Sequence, residues 1–289
     1  MRKKIIKNGY LKNNEIYLLF DSVDDIANVA IYKSNVEYNK STESEIGRSW
    51  WGGDCQTSGE VRRLVRVGWP EGVEKIQSIV DSLNVPLPVS RRRKLSRGHD
   101  GDFDVHSVYR GAKHYFTKRV KKFKRGPQMI SLAVDMCAGG STSSETLFWR
   151  GAACLKVAQD LILQGYKVEV IAFKRSSGSY NSSQAKDAPS RENIQVVVKQ
   201  FDQTLEVNNI AVTVAVAGFY RSHMWTAIDS APFKSHRGSP IHETPDNLRG
   251  DHTVDHFENC YDKESTERFV SKVFSGIEDL NRGLLNEKS

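Results

Sequence analysis

The sequence predicts an α/β protein with a mostly parallel sheet and a helical, irregular N-terminal region. Three observations carry this. From Met129 onward, short apolar runs such as Met129 to Asp135 and Val168 to Phe173 alternate with longer segments of helical spacing. Turn residues separate them, with Gly139, Gly140, Ser141, Thr142 and Ser143 after the first run and Gly165 before the second. Upstream, two amphipathic stretches are ended by Gly and Pro instead of by strands.

In chain order, Ile16 to Phe20 reads as a short buried strand. Asp21-Ser22-Val23-Asp24 then opens a helix with Ile26, Val29 and Ala30 at helical spacing. Gly47 to Gly53 is loop-like and holds Trp50 and Trp51. Ser58 to Val67 suits a helix carrying Arg62, Arg63 and Arg66. Gly68-Trp69-Pro70-Glu71-Gly72 breaks it, and Trp69 reads as a packing anchor. Val73, Ile76, Ile79, Val80 and Leu83 form the apolar stripe of a second helix, which Pro86 and Pro88 end. The next stretch reads as irregular, with an acidic turn at Asp100-Gly101-Asp102-Phe103-Asp104. After the Met129 strand, a helix runs from Ser144 to about Gln164, capped by Ser143 or Ser144 and closed by Gly165. A polar loop from Arg175 to Arg191 leads to a strand from Ile194 to Phe201. Helices over Val207 to Ala217 and about Arg221 to Ile228 follow. A last strand near Val254 and a helix from Glu264 to about Leu284 finish the chain. This gives three regions: 1–85, an N-terminal α+β region; 86–126, a basic segment; and 127–289, the α/β domain.

Charge is concentrated in the middle region. The 289 residues carry a formal net charge of +7. Between Pro86 and Gly126 lie 13 Lys or Arg against three acids, while the remaining 248 residues hold 29 basic and 32 acidic ones. The basic residues are Arg91, Arg92, Arg93, Lys94, Arg97, Arg110, Lys113, Lys118, Arg119, Lys121, Lys122, Lys124 and Arg125, and the aromatics Tyr109, Tyr115, Phe116 and Phe123 are interleaved with them. Single-stranded nucleic acid needs both a cationic track for phosphates and ring faces for bases, and this pattern offers both. The bland alternative is a solvated face whose rings turn inward. Trp50 and Trp51 are further stacking candidates, one of which should face the core because neighbours on a strand point opposite ways.

Catalytic and metal signatures are thin. Four widely spaced cysteines form no C-x-x-C, which fits a reduced, cytoplasmic protein. There is no run of 18 apolar residues, and the Ile16 to Phe20 run is too short for a secretory core. His252 and His256 stand four apart, but Thr253 occupies the position where a zinc protease has Glu. Asp100, Asp102 and Asp104 lack the rest of a calcium loop and read as charge relief. The turn from Gly139 to Ser144 opens a helix after a strand, a generic anion-binding geometry.

Ala133-Val134-Asp135-Met136-Cys137-Ala138-Gly139, Trp149-Arg150-Gly151-Ala152-Ala153 and Gly165-Tyr166-Lys167-Val168-Glu169-Val170 together resemble a degenerate von Willebrand A-type domain. The resemblance implies a Rossmann-type sheet. In that family the first strand ends in D-x-S-x-S, which holds a divalent cation. Asp135 keeps the acid here, but Cys137 and Gly139 stand at the hydroxyl positions, which implies the fold without the metal, although Ser141, Thr142 and Ser143 lie just beyond. Over roughly 45 to 285 the chain also resembles a group of phage and plasmid proteins that join Ser49-Trp50-Trp51 and Gly68-Trp69-Pro70-Glu71-Gly72 to an Arg-rich linker and an A-type half. It is more distantly similar to single-stranded-DNA-binding RNA polymerase cofactors of short-tailed phages.

The expectation is therefore a non-catalytic, cytoplasmic nucleic-acid binder without cofactor or metal, in the host cytoplasm if phage-encoded. Its preferred partner is single-stranded DNA, in transcription or replication, with RNA polymerase or a related protein as a further partner and no membrane contact. The rival reading is a protein-interaction module that uses the sheet end at Asp135. A third is a metal-dependent enzyme built on Asp135 or on His252 and His256.

Overall fold

The structure is a computed structural model. It describes residues 9–12, 15–33, 55, 57–85, 94–98, 102–112, 115–119, 128–137, 142–177, 191–230, 241–245 and 247–286. The described residues form two compact units, one drawn from 1–86 and 129–289, the other from 87–128.

In the larger unit, β1 (Gly9–Lys12) and β2 (Glu15–Phe20) precede α1 (Val23–Lys33), α2 (Ser58–Val67) and α3 (Pro70–Ser82). Further along come β6 (Met129–Asp135), α5 (Ser144–Leu163), β7 (Lys167–Ser177), β8 (Arg191–Lys199) and α6 (Val207–Val214). A helix, α7, then runs through Ala217–Phe219, a π turn at Tyr220–Met224 and Trp225–Ser230. Last are β9 (His252–Val254), a 3-10 turn at Phe257–Asn259 and α8 (Lys263–Asn286). The smaller unit holds β3 (Lys94–Gly98), β4 (Asp102–Phe103), α4 (Val105–Tyr109) and β5 (Phe116–Arg119).

The large sheet has the order β1-β2-β8-β7-β6-β9. Three of its pairings are parallel (β2–β8, β6–β7, β6–β9) and two antiparallel (β1–β2, β7–β8). It is thus an α/β fold with a mostly parallel, Rossmann-like sheet. Two features differ from the sequence expectation. β7 and β8 form an antiparallel pair, and β7 runs on to Ser177 while β8 starts at Arg191, taking in residues that read as polar loop. The N-terminal strands also complete the sheet of the C-terminal half, because β2 pairs with β8 from Glu15↔Arg191 to Phe20↔Val196.

The two faces of the sheet differ in chemistry. Ile16 and Leu18, Ile130, Leu132 and Val134, Val168, Val170 and Ala172, and Ile194 and Val196 join the helices in one apolar core. Their alternates Ser131, Asp135, Glu169, Arg175, Asn193 and Gln195 are also buried, and by the two-residue period of a strand they belong to the opposite face. Residues 241–245 and 247–251 lie against that polar face, bonded to Arg175, Asp135, Gln195, Glu169 and Ser131.

Local chemistry sets the helix limits. Thr57 caps α2 by accepting the Glu60 N–H at 3.2 Å, and Ser143 caps α5 by accepting that of Thr146 at 3.1 Å. Gly165, at φ 92°, closes α5. At the α2–α3 corner Gly68 has φ 90°, Pro70 opens α3, and the Trp69 N–H donates to Asn208 Oδ1 at 2.7 Å. The Trp69 indole is buried against Phe148 of α5, with ring centroids 5.4 Å apart, as a packing anchor. A Cβ at Gly72 would lie 2.1 Å from Trp69 Cε3. Gly72→Ala should therefore push the indole out of place and cost about 1–3 kcal/mol in urea unfolding. Wild-type stability in that variant would show that the corner tolerates the methyl.

Candidate functional site

The described residues of the basic segment form strands and a short helix where the sequence reads as irregular. β5 lies between β3 and β4, with Lys94 opposite Arg119, Leu95 opposite Lys118, and Phe103 opposite Phe116. Lys94, Arg97, Lys118 and Arg119 thus belong to strands of one small sheet. Asp104 has a specific local job. Its carboxylate accepts the Ser107 N–H at 3.3 Å and the Ser107 Oγ–H at 2.7 Å, which caps the short α4.

Aromatic rings gather on this sheet. Phe103 packs edge-to-face on Tyr115 and Phe116, at centroid distances of 5.8 and 5.6 Å, and Tyr115 meets Phe116 at 5.4 Å. Phe103 is 56% exposed, Tyr115 41%, and Tyr109 at the end of α4 86%. Phe116 is half-buried, and Arg110 is exposed. An exposed cluster of rings of this kind marks a candidate contact surface. Sequence reasoning missed Phe103 because it read the aspartate-rich stretch as a turn. Trp50, Trp51, Arg91, Arg92, Arg93, Lys113, Lys121, Lys122, Phe123, Lys124 and Arg125 lie outside the described residues.

A second cluster forms at the carboxyl end of β6. The chain leaves β6 through α5 to β7 on one side and returns to β9 on the other, so this end is the topological switch point where open α/β sheets bind ligands. Asp135 sits there, 2% exposed. Its Oδ1 accepts the Cys137 N–H at 2.8 Å, and its Oδ2 meets His242 Nδ1. Arg150 reaches over from α5 and donates to the carbonyls of Asp135 at 2.7 Å and Cys137 at 3.4 Å. Alongside, Lys174 pairs with Glu192 at 3.4 Å, and Arg175 pairs with Glu15 at 3.4 Å and Glu243 at 3.2 Å. Burial, reinforced by the Asp135 carboxylate, holds the Cys137 thiol well above its usual pKa, so it stays protonated and is a poor nucleophile. His242 is the residue that sequence reasoning missed here. It lies 107 positions from Asp135, and no spacing rule could join them.

A family model described as a domain of unknown function, DUF7192, matches residues 4–278. The chain belongs to this family. No curated protein and no solved structure matches it. The DUF7192 match runs through both units, so the basic segment lies within the family domain.

The divalent cation implied by the A-type resemblance does not fit this DUF7192 chain. Both carboxylate oxygens of Asp135 are engaged, and a protonated thiol stands where a hydroxyl ligand would be needed. His252 and His256 do not converge either. His252 is in β9, whereas His256 lies beyond it at φ 63° and pairs with Glu258 at 3.1 Å. Among the described residues no group of three or more His, Cys, Asp or Glu could hold a metal ion, and no helix is long and apolar enough to cross a membrane.

Proposed function

We propose that this chain binds single-stranded nucleic acid, DNA by preference, through the unit at 87–128, and that this binding is non-catalytic. The observation that carries the reading is the open ring cluster of Phe103, Tyr115 and Phe116, with Tyr109 nearby in sequence, in a segment of 13 Lys or Arg and three acids. Bases stack on such rings at about 1–3 kcal/mol each, whatever their sequence, while cations track the phosphates. A duplex hides its ring faces, which favours the single strand. On the polar face of the large sheet the cations Arg175 and Arg249 are paired with Glu15, Glu243 and Glu169, which leaves it a poorer phosphate surface.

Fluorescence anisotropy with labelled oligonucleotides tests this. If about six phosphates are engaged, log K against log salt should fall with a slope near −4 on a single strand. Phe103→Ala together with Tyr115→Ala should weaken binding about tenfold or more with the salt slope retained. Charge reversal at Lys121, Lys122 and Lys124 should abolish binding. Affinity that ignores salt, or binding unchanged by the reversal, would refute the reading.

The resemblance to phage and plasmid proteins suggests a role in assisting transcription or replication, with RNA polymerase or a related protein as a second partner. All four cysteines are buried, and Cys137, Cys154 and Cys260 are thiols, which supports a reducing, cytoplasmic setting. The degenerate A-type reading of the C-terminal half is supported by the first strand of that half ending in Asp135 at the switch point. That placement favours a second reading, in which this edge docks a protein. A pull-down that survives high salt and fails on substitution at Asp135 would support it.

A further inference from the structure

The polar face of the large sheet is covered by the chain itself. Starting at the carboxyl end, the Ile241 N–H donates to the Arg175 carbonyl at 2.8 Å, His242 meets Asp135, and Glu243 pairs with Arg175 and Arg191, each at 3.2 Å. Midway, Asn247 Oδ1 accepts from Gln195 Nε2 at 2.6 Å. At the amino end Arg249 binds Glu169 at 2.8 Å and the Gly250 N–H donates to Ser131 Oγ at 2.8 Å. The Asp251 N–H donates to the Met129 carbonyl at 2.7 Å, and the Asp251 carboxylate accepts the Met129 N–H at 3.0 Å.

The two ends are not equally fixed. At the amino end Glu169 is fully buried and takes bonds from both Ser131 and Arg249, and the next residues enter β9. A Cβ at Gly250 would lie 2.5 Å from the Ser131 backbone nitrogen, so backbone meets backbone there. At the carboxyl end a single backbone bond, from the Ile241 N–H, is joined by side chains at the water's edge, with His242 55% and Glu243 53% exposed. A segment held this way opens from its carboxyl-edge end.

We propose that residues 241–245 and 247–251 form a strap clasped by His242, whose imidazole stands on Asp135 in place of a divalent cation. A buried carboxylate needs a partner, and this one has the Cys137 amide on one oxygen and the imidazole on the other. The partner is part of the chain, so access to the polar face is governed by strap release and not by metal supply. The clasp is independent of the nucleic-acid reading and stands or falls separately.

Hydrogen exchange by mass spectrometry on the full chain tests the clasp. His242→Ala should speed exchange of the 241–245 amides about tenfold or more, with β9 and α5 at wild-type rates. His242→Gln, which keeps a donor for Asp135, should restore part of the protection. Unchanged exchange at 241–245 in His242→Ala would overturn the proposal. The unaltered protein gives a second measurement. In calorimetric titration with MnCl2, wild type and Asp135→Asn should give the same response. Saturable manganese binding that depends on Asp135 would also overturn it.

Discussion

Lys174→Met should destabilise the protein by about 3–5 kcal/mol, because it removes the buried cation that faces the buried Glu192 carboxylate. Lys174 is fully buried and Glu192 is 2% exposed. Nζ lies 3.4 Å from Oε2, and the same oxygen accepts the Ser176 Oγ–H at 2.9 Å. Taking both charges out of water costs nearly what their attraction returns, so the intact pair contributes little net stability. Loss of one member is different, because the buried Glu192 then loses the attraction of the Lys174 charge while its desolvation remains. Lys174→Met combined with Glu192→Leu should recover most of the loss, since an apolar pair of similar size needs no desolvation. Urea unfolding of the two single variants and the double variant measures this. A single variant within about 1 kcal/mol of wild type, or a double variant no better than the singles, would refute the account.

Acid should weaken the fold through His223. The side chain is fully buried on the π turn of α7 and stacks on Phe219 with centroids 4.9 Å apart. Burial, with smaller contributions from the charges of Arg62 and Arg66, brings its pKa down to about 3. An unfolded histidine titrates near 6.5. Between those values the unfolded chain holds the extra proton, so stability falls as pH drops from about 6.5 toward 3. From pH 7 to pH 5 the loss attributable to this group is about 2 kcal/mol. His223→Leu changes packing and therefore the absolute stability, but it should remove this part of the pH slope. Unfolding curves at pH 7, 6 and 5 for both proteins decide the matter, and parallel slopes would sink the idea.

Apolar periodicity was a good guide wherever burial was apolar. Helix α2 spans Ser58–Val67 and strand β6 spans Met129–Asp135, with the limits the patterns predict, and Ser143 and Gly165 bound α5 as their chemistry suggests. The reading broke down where the protein buries polar groups. Arg175, Ser176 and Arg191 fall in the stretch that reads as polar loop, and Lys174, Glu192 and Asn193 lie between it and the expected strands, yet all are inside β7 and β8, where the assembled sheet gives them partners and neighbours. The antiparallel β7–β8 pairing was hidden for the same reason, since its ends looked like a connection. In the basic segment the aromatics and lysines pointed to a surface, but Phe103 joined them only once strand pairing set it against Phe116. The Asp135–His242 contact is a product of tertiary structure alone, with nothing local to announce it.

The pairing of β2 with β8 has a consequence for biosynthesis. Glu15 to Phe20 leave the ribosome early, but their partner strand begins only at Arg191. At about 5–20 residues per second the interval is about 10–35 s, during which β2 has β1 on one side and an unsatisfied row of backbone groups on the other. A growing chain that stalls before β8 emerges presents that row to other nascent chains. Co-translational aggregation should therefore fall sharply once translation passes β8.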